Sequence, residues 1–154
     1  MPACTVAIPV FNQRAFIERA VRSALAQGVD GLEVVVVDNR SEDGTWEALQ
    51  PFVRQGVRLH RNASNLGLFG NFNRCLELAG SPYLRLLAGD DVLASGSLRA
   101  ELELMERNPR LAMLSTRGRL PGLPISGCCI RIGASTCSRT LQPCRGSTTN
   151  TSAS

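Results

Sequence analysis

Leu32-Glu33-Val34-Val35-Val36-Val37-Asp38-Asn39-Arg40-Ser41-Glu42-Asp43-Gly44-Thr45 decides how the rest of the chain is read. Four consecutive valines suit a strand buried on both faces, and such strands belong to sheets covered by helices on each side. The run stops at Asp38-Asn39, and Ser41-Glu42-Asp43-Gly44 has the composition of a turn. On the N-terminal side, Thr5–Val10 is a second apolar strand. Between the two strands, Phe16, Ile17, Ala20, Val21, Ala24 and Leu25 recur at helical spacing, and Gly28 stops that helix.

On the C-terminal side, Trp46, Leu49, Phe52 and Val53 mark one face of a second helix. Val57–His60 reads as a third strand and Asn65–Gly70 as a glycine-bearing loop. Phe69, Phe72, Leu76 and Ala79 mark a third helix, and Gly80-Ser81-Pro82 closes it. Tyr83–Ala88 is a fourth strand followed by Gly89-Asp90-Asp91. A fourth helix covers about Gly96–Asn108, with Leu98, Leu102 and Met105 inward, and Leu111–Ser115 is a fifth strand. This alternation predicts an α/β domain, a mostly parallel sheet with helices on both faces. Ligands of such sheets sit beyond the carboxyl ends of the strands. Three places meet that condition: Pro9–Asn12, Asp38–Asp43 and Ala88–Asp91.

Composition narrows the function classes. The chain has 154 residues, enough for one domain with a core, and 44% of them are hydrophobic. No apolar run reaches the length of a membrane span. Met1-Pro2-Ala3-Cys4 carries neither a basic nor an apolar leader region, so no signal peptide and a cytoplasmic location are expected. All 13 acidic residues lie at or before Glu106, and the body up to Leu120 balances them with 14 arginines. Of the net charge of +4, three units come from Arg131, Arg139 and Arg145 and one from the body, and nucleic-acid binding is not indicated. Cys128, Cys129, Cys137 and Cys144 crowd the end of the chain without a CxxC pair, and His60 is the sole histidine. Neither a zinc site nor a disulfide framework is expected. After Leu120 the sequence turns rich in Ser, Thr, Gly, Cys and Arg and loses its periodicity. Residues 1–120 are read as a domain and 121–154 as an irregular, low-order tail. The simultaneous change in acids, cysteines and period suggests a shift of reading frame near Leu120.

Three groups can carry chemistry. Asp90-Asp91 are adjacent carboxylates at a buried strand end. They repel each other, so they either hold a hard cation such as Mg²⁺ or Mn²⁺ together with substrate phosphates, or form a turn that caps the next helix. Asp38 can accept a hydrogen bond from a nucleobase N–H, with Asn39 offering a donor and an acceptor beside it; the alternative is an Asx-type turn. In Pro9-Val10-Phe11-Asn12, the proline fixes the backbone, and Phe11 is either an aromatic face for a base or ribose or a core aromatic. The first strand–helix turn has no G-x-G-x-x-G and the chain has no phosphate-binding P-loop, which disfavours a dinucleotide oxidoreductase.

In order and spacing, Ile8-Pro9-Val10-Phe11-Asn12, Val35–Thr45, Asn65-Leu66-Gly67 and Ala88-Gly89-Asp90-Asp91 resemble the family 2 glycosyltransferases of the GT-A, Rossmann-like fold. The likeness covers about Cys4–Thr116. It implies that Pro9 and Phe11 line a base pocket, with Asn12 beside them, and that Asp38 and Asn39 read the base. Asp90 would hold the ribose, and Asp91 with Asp90 an Mg²⁺ or Mn²⁺ on the diphosphate. The Asn65–Gly70 loop, including Gly67, and Asn73 would flank the nucleotide. The implied donor is a UDP- or dTDP-sugar, and the implied acceptor a glycan or glycolipid, placing the protein in the cytoplasm or peripherally at the inner membrane surface. The family's general base is a carboxylate on the acceptor side, and no acid follows Glu106 to match it. The resemblance therefore implies a truncated domain. It either transfers a sugar or survives as a non-catalytic nucleotide-sugar-binding remnant.

Overall fold

The computed structural model describes residues 4–120 and 123–132. The elements follow one another as β1 (Cys4–Val10), α1 (Ile17–Leu25), β2 (Leu32–Asp38), α2 (Thr45–Val53), β3 (Arg58–Arg61), α3 (Gly67–Leu78), β4 (Tyr83–Leu86), α4 (Ser97–Arg107), β5 (Met113–Leu120) and β6 (Leu123–Arg131). Among the described residues one six-stranded sheet runs β3-β2-β1-β4-β6-β5. The first four strands are mutually parallel, and β6 and β5 extend the sheet antiparallel.

The valine run explains the layering. Val34 and Val36 join Val6, Ile8 and Val10 on one face, and Val35 and Val37 join Ala7 and Leu84 on the other. Strand side chains alternate between faces, so a run without a polar residue demands cover on both. Burying each such valine is worth about 1.5–3 kcal/mol, which places the densest apolar strand inside the sheet rather than at its edge. Helices α1, α2 and α4 cover the first face through Ile17, Val21, Leu49, Phe52, Leu98 and Met105. Helix α3 lies on the other face against β1 and β2.

Three expectations are corrected. Val53 is not part of the inward face of α2; it stands at the helix end, exposed, while Thr45, Leu49 and Phe52 are buried. Phe69 does not belong to the inward face of α3; it is exposed, while Leu76 and Ala79 of the same row pack against the core beside Asn71 and Cys75, the buried residues one turn apart. The helix is rotated because the Asn71 amide donates to carbonyls at two strand ends, Val37 O at 3.1 Å and Val10 O at 3.5 Å. The reading of the chain after Leu120 as irregular does not hold for Leu123–Arg131, which forms a strand despite its lack of period. Strand β6 inserts between β4 and β5, with Cys129 opposite Arg85 and fully buried. Its partner β5 is longer than expected, Met113–Leu120. The remainder of the proposed tail, 133–154, lies outside the described residues. Cys4, Cys75 and Cys129 are buried free thiols.

Candidate active site

The strand order turns at β1. From β1 the chain builds outward through β2 to β3, then returns to add β4 on the other side. Such a reversal opens a crevice at the carboxyl ends of the two diverging strands. Val10, Asp38 and Arg61 are level in the register, so β1, β2 and β3 end together. Strand β4 ends earlier, with Leu86 opposite Ala7. Leu87 N still donates to Ala7 O at 3.0 Å. The next bond on that side would need the N–H that Pro9 lacks, so Pro9 ends the β1–β4 ladder and lets the strands part. Pro9 itself is buried within β1 opposite Val37, so its contribution is through the backbone rather than as pocket lining.

The loop after β1 is clamped by the Ser-x-Asp-Gly-Thr stretch. Ser41 Oγ accepts from Asn12 N at 2.9 Å, Thr45 Oγ1 from Gln13 N at 3.0 Å, and Asp43 Oδ2 from Arg14 N at 3.0 Å. In return Asn12 Oδ1 accepts from Glu42 N at 2.9 Å. Three N–H groups of the loop ahead of α1 are thereby satisfied by side chains of the neighbouring loop. Gly44 takes φ +88° to turn the chain into α2, a conformation L-residues avoid. Burial would raise the Asp43 carboxyl, but hydrogen bonds from Thr45 and from the Arg14 backbone outweigh it and hold the group below the ordinary Asp range. The clamp fixes Asn12 at φ +51° and leaves Phe11 44% exposed at the mouth of the crevice. Phe11 is therefore not a core aromatic. Thr45→Val keeps the volume of this fully buried side chain and removes its hydroxyl bonds to Gln13 N and Asp43. It is expected to lower the unfolding free energy by about 1–2 kcal/mol, read by urea denaturation.

Asp38 is fully buried and both of its oxygens face protein groups. Oδ1 accepts from Ser41 N at 3.1 Å, and Oδ2 lies 3.0 Å from Arg61 Nε. The same guanidinium donates through Nη2 to Ser41 O at 2.7 Å and stacks 5.3 Å from the Trp46 ring centre. Of the two readings of Asp38, base acceptor and Asx-type turn, the bond from Ser41 N matches the turn, and the carboxylate, fully buried beside Arg61, orders the end of β2. Asn39 lies beside it, 3% exposed, with its amide directed at Asn62, Asn65, Leu66 and Gly67. Gly67 opens α3 at φ +71°, and Asn73, half-buried, follows within that helix. The structure thus joins Asn39 to Gly67, and Asn12 to the motif after β2.

Asp90 and Asp91 lie on the opposite wall, beyond β4. A tight turn forms as Asp91 N donates to Ala88 O at 3.0 Å. Gly89 packs into the crevice, where a Cβ would strike Gln13 Oε1 and come within 3.2 Å of Val10 Cγ2. The segment is pinned to α1 where Leu93 N donates to Ser23 Oγ at 3.0 Å, and the start of α4 to the turn after α1 where Leu98 N donates to Gln27 Oε1 at 3.1 Å. Asp90 is exposed and Asp91 half-buried. Burial, then the Asp90 charge, push the Asp91 carboxyl above its ordinary range, and Arg85 partly opposes them. The alternative that the pair merely caps the next helix is not met: α4 begins six residues later behind Gly96, without a side-chain cap.

Arg61, Asn62 and Asn71 are not assigned from sequence, and Ser41 and Thr45 are read there only as part of the Val35–Thr45 motif; for Asn62 and Asn71 the available signal is the density of asparagines at 62, 65, 71 and 73.

Comparison with known proteins gives a consistent result. The sequence profile of the family described as Glycosyl transferase family 2 matches residues 5–123. A GalNAc(5)-diNAcBac-PP-undecaprenol beta-1,3-glucosyltransferase of Campylobacter jejuni is 33% identical over 102 residues, covering 64% of this chain and 33% of the relative. Staphylococcus aureus TarS in complex with UDP superposes with a TM-score of 0.73 at 20% identity, over 80% of this chain and 38% of that one. A mannosyltransferase of Pyrobaculum calidifontis in complex with GDP-Man and Mn²⁺ superposes with a TM-score of 0.69 at 25% identity, over 77% and 36%. The chain spans about a third to under a half of the length of the first curated relatives it matches.

Proposed function

This chain belongs to glycosyl transferase family 2, and from that premise we propose that it binds a nucleoside diphosphate sugar, UDP- or dTDP-linked, in the crevice between β1 and β4 for transfer to an acceptor hydroxyl. The observation that carries the reading is the pairing of an exposed aromatic, Phe11, with an acidic pair across a strand-order reversal. Phe11 supplies a face for the base, and Asp90 reaches the ribose. The β2 end and the Asn65–Gly70 loop flank the nucleotide, the loop tied to β2 through the Asn39 amide.

Asp91, with Asp90, suits a divalent cation. Two adjacent carboxylates, one pushed upward by burial and then by the other's charge, are relieved by a bound cation, and their hard oxygens match Mg²⁺ or Mn²⁺. Among the described residues no group of three or more His, Cys, Asp or Glu forms a complete cage. This suits an ion that completes its shell with diphosphate oxygens and water. Such an ion supplies charge neutralisation on the departing diphosphate. In the reaction the acceptor oxygen bonds to the anomeric carbon as the bond to the diphosphate breaks, and the hydroxyl proton leaves to a base. The printed name of the Campylobacter relative points to a polyprenyl-diphosphate-linked glycan as the acceptor class. No helix among the described residues is long and apolar enough to cross a membrane; it is the lipid-linked acceptor class that would bring the reaction to the inner membrane surface.

A second reading is binding without transfer: Phe11 and the Asp90-Asp91 pair can hold a nucleoside diphosphate whether or not an acceptor is engaged. Calorimetric titration with UDP and dTDP, with Mn²⁺ or with EDTA, run beside a sugar-transfer assay, separates the two. Metal-dependent binding with turnover supports transfer, and metal-dependent binding alone supports the second reading. If neither diphosphate binds under either condition, both readings fall.

A further inference from the structure

The amide of Asn39 has four hydrogen-bonding capacities, two donors and two lone pairs. All four are spent inside the protein. Its Nδ2 donates to Asn65 Oδ1 at 2.7 Å and to Gly67 O at 3.2 Å. Its Oδ1 accepts from Asn62 Nδ2 at 3.0 Å and from Leu66 N at 2.9 Å. A flipped amide would turn Nδ2 toward two donors, so the orientation is fixed by its neighbours. The network continues inward. Asn62 Nδ2 also donates to Asn71 Oδ1 at 2.9 Å, and Asn71 Nδ2 reaches the Val37 carbonyl at 3.1 Å. Asn39, Asn62 and Asn71 are each at most 8% exposed. Together they tie the ends of β1, β2 and β3 to the first turn of α3.

We propose that Asn39 is a positioning residue, not a reader of the base: it holds the Asn65–Gly67 entry of α3 against the crevice, and it needs an amide because it must donate twice. This deepens the proposed function, and its effect on nucleotide affinity rests on that reading. A carboxylate at position 39 would still accept from Leu66 N and Asn62. It would also set an anion against Asn65 Oδ1 and the Gly67 carbonyl, turning two attractive contacts repulsive.

The test compares the full chain with Asn39→Asp. Without ligand, hydrogen exchange at the Leu66 and Gly67 amides is expected to accelerate about tenfold or more. Affinity for UDP with Mn²⁺ is expected to fall about tenfold, and affinity for Mn²⁺–pyrophosphate to stay within about twofold, because the acid pair lies on the opposite wall. A loss confined to the nucleoside side is something a general weakening of the fold would not produce. The UDP to CDP preference is expected to stay unchanged. Unchanged protection at Leu66 and Gly67, or a tenfold change in the UDP to CDP ratio, would overturn the proposal. Should wild-type protein bind no nucleotide, the proposed function fails while the exchange measurement still decides the role of Asn39. Asn65→Ala, which removes one exposed partner of the cluster, gives the same comparison in a milder form if Asn39→Asp does not fold.

Discussion

Arg85→Met is expected to lower the unfolding free energy by about 3–5 kcal/mol, the usual cost of removing one partner of a buried ion pair. Arg85 Nε lies 3.1 Å from Glu101 Oε2, and the two side chains are only 7% and 5% exposed. Water cannot compensate the carboxylate facing the gap, whereas an exposed pair would cost under about 1 kcal/mol. The geometry gives the pair a second consequence. Arg85 stands in β4 and Glu101 in α4, so the contact clasps both ends of the segment bearing Asp90-Asp91. The double variant Arg85→Met/Glu101→Leu is expected to recover most of the loss, since exchanging a buried ion pair for apolar side chains of similar volume is often neutral. Urea denaturation of the two single variants and the double variant closes the cycle. A loss below about 1 kcal/mol in Arg85→Met would mean that the pair is not desolvated in solution.

Arg85 also marks the limit of what periodicity can reveal. The apolar strands and the repeated strand–helix spacing made the sheet, its parallel core and the helix order legible, because burial on both faces is written in the residues themselves. The acid pair and the exposed Phe11 were legible as strand-end residues, from the rule that placed the crevice. The charged and amide residues inside the core were not. Arg85 sits within Tyr83–Leu86 as a buried strand residue, and its charge is met by a carboxylate 16 positions later, brought over by α4. Asn71 turns α3 through bonds to strand-end carbonyls that no helical period encodes. The β6 insertion was invisible for a related reason. Its place beside β4 comes from long-range pairing, and its sequence has no alternation that specifies a face.

The roles exchanged at the end of β2 follow the same logic. Asp38 and Asn39 carry donors and acceptors suited to a base, and their residue types say nothing of whether those groups are already engaged. Arg61, aligned with Asp38 by the β2–β3 register, takes up the carboxylate. The asparagine cluster takes up the amide. A site residue can be recognised from sequence by its chemistry, but whether it faces ligand or protein is decided by partners supplied from other elements.

Asp91→Asn is expected to reduce Mn²⁺-dependent UDP affinity by at least about 100-fold, since even residues that only support a metal ligand change affinity 10–100-fold. The same variant is not expected to lose stability. Burial and the neighbouring Asp90 charge both disfavour the Asp91 carboxylate in the folded protein, so a neutral amide relieves a cost. Affinity lost while the thermal midpoint is held or slightly raised is the signature of a binding residue rather than a structural one. The pH dependence carries a definite sign. Because the Asp91 pKa is raised on folding, the metal-free fold gains from protonation: stability falls as pH rises through the folded pKa, and the gain is full below the unfolded one. Metal binding needs the carboxylate, so it weakens as pH falls through that raised pKa, earlier than for an ordinary Asp. Asp90→Asn removes one of the two causes, and is expected to move the midpoint of metal-dependent binding to lower pH while weakening it overall. A midpoint that stays in place in Asp90→Asn would show that the two carboxylates do not share one field, and the cation would then have to be held elsewhere.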